Sequence, residues 1–391
     1  MSIPLFKVYM PEGVNSIMKE VLASGYIAEG DYVRAFEQSL KTFFKNDNIV
    51  TTNSCTHSIH LSLALAGVKP GDYVYCTPMT CIATAVPIAN IGAIPIWVDV
   101  DPKHGMITPE TLDVSIRKGR KYEMRHGAKV SKEVVIYVCW GGDLGPLPEV
   151  AKYCSENDIT LIVDAAQAFG VEYEDGKRLG DGTLGDYTCF SCQAIKHITT
   201  GDGGILALKD PKQYKKAFNK KWFGIDREAF RTPTGEINWD ADVPEIGFKF
   251  HMNNIAGCIG GAQMLDPTLI SRLDKYIGHD RLLTYFLDNE FIKRSWNGDS
   301  ASWVSTFNCD RPKELQTFLL GEGIFSSQMH SNIDVYTGFK SSHPINDYDR
   351  PGVVEFMKTH LCLPCGWWVS GDDLFYIINS VNEFYGIKKV E

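Results

Sequence analysis

The stretch Leu161-Ile162-Val163-Asp164-Ala165-Ala166-Gln167 decides the fold. Three apolar residues run into a carboxylate, a run too short for a helix and bounded by polar residues, which reads as a buried strand. Strands apolar on both faces belong to parallel sheets covered by helices. Working outward, similar runs occur at Asn48–Asn53, Tyr73–Thr77, Ile94–Val100, Val134–Cys139 and Gly204–Leu208. Between them lie helical stretches, such as Thr56–Ala66, with Thr56 near its start and Gly67 closing it. This alternation predicts an α/β fold: a mainly parallel central sheet with helices on both faces.

Beyond Leu208 the pattern changes. Trp222–Phe250 is rich in Gly, Pro and charge and reads as an irregular excursion; a helix resumes near Asn254 and runs toward Leu265. After about residue 270 a shorter pattern follows: strand Ser302–Cys309, helix Pro312–Leu320, strand Phe325–His330, helix Asp372–Phe384. The expected organisation is a large domain over residues 1–265 and a smaller α+β C-terminal domain over 266–391, a division in keeping with a chain of 391 residues.

Composition narrows the function. Hydrophobic residues are 44% of the chain, enough for a sizeable core, and the net charge of −9 argues against a general nucleic-acid surface. No apolar run is long enough to span a bilayer, so no membrane association is expected. Met1–Pro11 lacks the pattern of a signal peptide, and eleven cysteines read as reduced thiols, so the expected location is the cytoplasm. Two C-x-x-C pairs, Cys189 with Cys192 and Cys362 with Cys365, would bind zinc if all four met. The first pair reads as strand, where residues three apart face opposite sides, so no metal is expected.

The candidate chemistry sits at the ends of the strand-like runs. Ligands of open α/β sheets lie beyond the carboxyl ends of the strands. Asp164, at such an end, can bind a protonated ring nitrogen, and a charged pyridinium is the electron sink of pyridoxal phosphate (PLP) chemistry. Read alone, it is equally an ordinary loop aspartate. The segment Phe190–Gly204 carries Lys196 in apolar company before a glycine-rich turn. Desolvation there would lower the lysine's pKa and make its amine nucleophilic, although a lone lysine is more often on the surface. Ser191, five residues earlier, can donate a hydroxyl to a phosphate. The turn is neither a P-loop nor a Rossmann fingerprint. Thr52-Asn53-Ser54-Cys55-Thr56 opens a helix whose first amides form a phosphate cup, and whose hydroxyls also suit N-capping.

Together these motifs resemble the DegT/DnrJ/EryC1/StrS family of PLP-dependent nucleotide-sugar aminotransferases, of the aspartate-aminotransferase fold type I. Further matching segments are Ser24–Ile27, Phe36-Glu37, Pro70–Asp72, Gly92–Pro95, Val98–Asp101 and Gly247–Asn254, so the likeness spans nearly the whole chain. The resemblance implies that Lys196 is the Schiff-base lysine and proton shuttle, and that Asp164 partners the pyridine nitrogen. It assigns Gln167 to the cofactor's ring oxygen, Cys55, Thr56 and Ser191 to the phosphate, and Lys249 to the phosphate of a neighbouring subunit. Tyr26 and His330 become candidate substrate contacts. The implied partners are a second copy of the chain with shared active sites, a nucleotide sugar (a 4-keto-6-deoxy hexose) and an amino-acid donor, glutamate. Pyridoxamine phosphate would be the cofactor's other form during turnover, and surface polysaccharide synthesis the setting.

The chain departs from the family pattern in Thr80-Cys81-Ile82-Ala83-Thr84, which puts Cys81 where relatives stack an aromatic ring on the cofactor. The Cys81 side chain is expected against one face of that ring, with Ala166 near the other. Two rival readings remain: a deoxysugar dehydratase, in which histidine replaces the lysine, and a non-catalytic regulatory protein on the same fold. The retained Lys196 counts against the first, and the intact set of Asp164, Gln167, Ser191 and Lys196 against the second.

Overall fold

The computed structural model describes residues 2–390 except 128, 129, 175, 228, 233, 235, 239, 341 and 342. Seven short strands build the central sheet: β1 (Ile49–Thr52), β2 (Tyr73–Cys76), β3 (Ile94–Trp97), β4 (Glu133–Val138), β5 (Thr160–Asp164), β8 (Tyr187–Ser191) and β9 (Gly204–Leu208), with β6 (Glu172–Tyr173) and β7 (Lys177–Arg178) forming a separate hairpin. Their order is β1-β9-β8-β5-β4-β2-β3. The run from β8 to β3 is parallel throughout, while β9 is antiparallel to both its neighbours. The reversal follows from the connection: residues 192–203 contain no crossover helix, which a parallel return would need. The sheet therefore has the mainly parallel character expected, with one reversed strand.

Pleating divides the sheet's side chains between two cores. In β2, Tyr73 and Tyr75 join one buried cluster while Val74 and Cys76 join the other; in β4, Val135 and Tyr137 separate from Val134 and Ile136 in the same way. Each face is covered by helices, Asp31–Phe44 and Pro109–His126 on one side, Cys55–Leu65 and Ile82–Asn90 on the other. Cys189 and Cys192 fall in different clusters, as strand alternation requires. No helix among the described residues is long and apolar enough to cross a membrane.

A third core belongs to the C-terminal part, joined by Ile3 from the start of the chain. Its sheet is β10 (Ile292–Arg294), β11 (Ser305–Cys309) and β12 (His360–Leu363), antiparallel and in that order. This corrects one expectation. Phe325–His330 is not a strand; Ser327 makes a single bridge to Cys362, and His330 turns away with φ of 56°. The place beside β11 is taken by β12, which no sequence signal marked. The described residues of Trp222–Phe250 form no helix or strand, only isolated bridges, as the composition suggested; residues 228, 233, 235 and 239 lie outside the described residues. The segment follows buried Lys221, whose Nζ lies 2.8 Å from Glu29 and 3.0 Å from Glu37.

Candidate active site

The carboxyl ends of the parallel strands converge on a cavity of about 330 Å³. β5 delivers Asp164 and β8 delivers Ser191 to its wall, and the β8–β9 connection carries Lys196 into it. β1 feeds the Cys55–Leu65 helix, so the first residues of that helix, Cys55 and Thr56, point their end of the dipole at the same space. Ser54 caps the helix by accepting from His57 N–H at 3.2 Å. The helix can come this close to β9 only because residue 204 is glycine: a Cβ there would stand 2.4 Å from the Ser54 carbonyl.

Asp164 is 5% exposed. Thr84 Oγ1 donates to its Oδ2 at 2.7 Å and Ala166 N–H to its Oδ1 at 3.1 Å. Burial pushes this carboxyl up from its ordinary range, against the pull of the Thr84 hydroxyl, the Ala166 amide and Lys196. Burial also brings the Lys196 ammonium down to about 8, with Asp164, Cys55 and Cys81 opposing the fall. A carboxyl shifted up and an amine shifted down on one cavity are suited to acid–base work at a bound molecule.

Gln167 is oriented by Gly141, whose N–H donates to Oε1 at 2.7 Å. Its Nε2 faces His330 Nε2 at 3.2 Å. Burial, then Lys196 and His360, lower the His330 imidazole to about 4, so at neutral pH it is uncharged and accepts from the amide. Cys81 lines the cavity as the residue before the Ile82–Asn90 helix, and Ala166 lines it too.

Two expected residues lie elsewhere in the single chain. Tyr26 is 81% exposed and Lys249 sits outside the cavity lining, its Nζ 3.7 Å from the centre of the Trp222 ring. The Lys249 backbone nonetheless runs beside the capped helix, since Asn53 N–H donates to Phe250 O at 2.7 Å. Three contributors carried no local signal. Thr84 and Gly141 act through hydrogen bonds across the fold, and Trp303, within the expected strand Ser302–Cys309, enters the wall from 107 positions beyond Lys196.

The donor set suits a phosphorylated pyridine: a buried carboxylate for a ring nitrogen, an amine of lowered pKa, and a helix N-terminus with the Thr56 and Ser191 hydroxyls for a phosphate. The architecture is that of a fold type I PLP enzyme. The sequence profile of the DegT/DnrJ/EryC1/StrS aminotransferase family matches residues 10–382, and the chain belongs to that family of enzymes. It is 27% identical to the putative pyridoxal phosphate-dependent aminotransferase EpsN of Bacillus subtilis, over 96% of this chain and 93% of that protein. It is 30% identical to the UDP-4-amino-4-deoxy-L-arabinose–oxoglutarate aminotransferase of Shewanella sediminis, over 67% of this chain and 63% of the relative. Among solved structures, the sugar aminotransferase CalS13 of Micromonospora echinospora superposes with a TM-score of 0.84 at 27% identity, covering 97% of this chain and 99% of that one.

The Cys81 position yields a test of its own. A thiol covers less of a ring than an aromatic side chain, and an aromatic pair adds ~0.5–1.5 kcal/mol beyond burial. Cys81→Phe is therefore expected to lower the apparent Kd for PLP by up to about tenfold, read by cofactor titration. Weaker binding would mean that the neighbours leave no room for the larger ring, and a complex with Cys81 Sγ beyond the ~4.5 Å contact range of the cofactor ring would show that Cys81 does not face it.

Proposed function

We propose that this chain is a PLP-dependent sugar aminotransferase that moves an amino group from L-glutamate to the keto group of a nucleotide-linked sugar, a 4-keto-6-deoxy hexose, for a surface polysaccharide. The observation that carries the reading is the meeting of Asp164 and Lys196, from the carboxyl ends of neighbouring strands, on one cavity with a helix N-terminus at its other side. Bound PLP would supply a conjugated ring able to take up the electron pair of a broken C–H bond. Asp164 holds a proton at the ring nitrogen. Lys196 would bond the cofactor and, when free, would move the proton at the substrate carbon. The amides at Cys55 and Thr56, with the Ser191 hydroxyl, bind the phosphate. Gln167, oriented by Gly141, would hold the cofactor's ring oxygen, and neutral His330 beside it would meet the substrate.

The similarity to a UDP-sugar–oxoglutarate aminotransferase supports a nucleotide sugar as acceptor and glutamate as donor. A homodimer completes the reading, with Lys249 reaching the neighbouring subunit's phosphate site and Tyr26 its substrate. Eleven free cysteines accord with a reducing compartment such as the cytoplasm. Incubation with glutamate and a panel of nucleotide keto-sugars is expected to form 2-oxoglutarate and an amino sugar together. Loss of the sugar's hydroxyl without 2-oxoglutarate would instead make the enzyme a dehydratase, and inertness toward every keto-sugar would overturn the acceptor class.

A further inference from the structure

Lys196 has a partner that the proposed chemistry leaves unused. Its Nζ lies 3.6 Å from the centre of the Trp303 ring, within range of a cation–π attraction. Among the described residues, no oxygen or nitrogen acceptor takes a hydrogen bond from Nζ. The indole is 2% exposed and fixed on the remaining sides: Phe6 stacks on it at 4.5 Å and 22°, and Nε1–H donates to Ile195 O at 2.9 Å.

The backbone bearing Trp303 is pinned by a buried charge network. Ser302, at φ of 48°, donates to Asp280 at 3.0 Å, and Ser300 donates to Asp143 at 2.6 Å. Arg294 joins the two carboxylates, at 2.8 Å from Asp143 and 2.9 Å from Asp280. Gly142 closes the arrangement: a Cβ at this position, which has φ of 98°, would stand 2.7 Å from both Trp303 N and Gln167 O. A ring held so rigidly against a lysine amine, by residues from both the N-terminal and C-terminal parts of the chain, has a role beyond filling space.

We propose that Trp303 is a positioning residue for Lys196, whose indole face receives the Nζ ammonium whenever that nitrogen is not bonded to the cofactor. The other charged or titratable groups around Nζ are Asp164 on β5, Cys55 on the capped helix, Cys81, His330 and His197. Both histidines are lowered to about 4, so at neutral pH they add no positive charge. Asp164 attracts the ammonium but is committed to Thr84 and Ala166. The ring face gives the cation a resting place in the cavity wall, apart from the committed Asp164 carboxylate, from which it returns toward the cavity for the next proton transfer.

The inference rests on Lys196 being the cofactor-bearing lysine, but its test is read without cofactor. In the full-length chain freed of PLP, the pH dependence of Lys196 acetylation by an anhydride, followed by mass spectrometry, gives the midpoint of its deprotonation. Removing the ring face removes stabilisation of the cation only, so the midpoint is expected to fall by about one pH unit in Trp303→Leu, with Trp303→Phe between it and the parent. Thermal melts establish that each variant is folded; if Trp303→Leu is not, Trp303→Phe, which fills most of the same space, decides alone. An unchanged or raised midpoint in a folded variant overturns the proposal. Failure of Lys196→Ala to affect cofactor binding would instead overturn the assignment of the lysine, and the two failures are distinct.

Discussion

Lys196→Ala is expected to remove both the visible absorbance of lysine-bound PLP and all glutamate-dependent formation of 2-oxoglutarate. The side chain is asked to do two things, to bond the cofactor and to carry a proton, and alanine can do neither. Its environment shows why this lysine suits both. With its pKa brought to about 8 by burial, about a tenth of the free amine is neutral at pH 7, against about one part in three thousand for an ordinary lysine. The neutral fraction grows as pH rises through about 8, so bonding of PLP to the cofactor-free chain is expected to quicken over that range. Absorbance and a coupled 2-oxoglutarate assay check the variant; a fully active Lys196→Ala enzyme would displace this residue from the centre of the chemistry.

Asp164→Asn should fold like the parent and lose most of its turnover. The Asn side chain retains an oxygen for the Ala166 N–H, which now bonds Asp164 at 3.1 Å. It cannot supply the negative charge that keeps a proton on a ring nitrogen. A charge-assisted hydrogen bond in such a buried place is worth ~1.5–3 kcal/mol, which corresponds to a drop in kcat of about ten- to 150-fold. KM for the amino donor should change little, because the stabilisation matters most as negative charge develops. Parent-like kcat would point to another carboxylate on the cavity, and Asp202 also lines it.

Much of this arrangement was legible residue by residue. The strands of the central sheet announce themselves as short apolar runs between turns, because a strand covered on both faces has nowhere to place polar side chains. Asp164, Lys196, Ser191, Gln167 and the start of the Cys55–Leu65 helix belong to contiguous motifs, and motifs at strand ends and helix starts carry their geometry with them. The direction of β9 was legible only in hindsight, from the missing crossover helix before it. Phe325–His330 lies along the free edge of β12 but bonds it only through Ser327 and Cys362, so it forms a bridge and not a strand, and β12 itself pairs with β11 through Ser305–Leu363 to Asn308–His360.

By itself the sequence determined the α/β architecture and the family likeness, and named the groups proposed to handle a pyridine ring and a phosphate, since all of these rest on patterns within a few residues of one another. Only the tertiary structure decided what tunes them. Thr84 on Asp164, Gly141 on Gln167, His330 neutral beside that amide, and Trp303 across Lys196 are each brought in from tens to more than a hundred positions away. The physical reason is the range of the forces involved. Strand and helix signals come from local backbone and burial preferences, while pKa values, ring stacking and buried ion pairs depend on distances of a few ångströms between segments that meet only when the chain has folded.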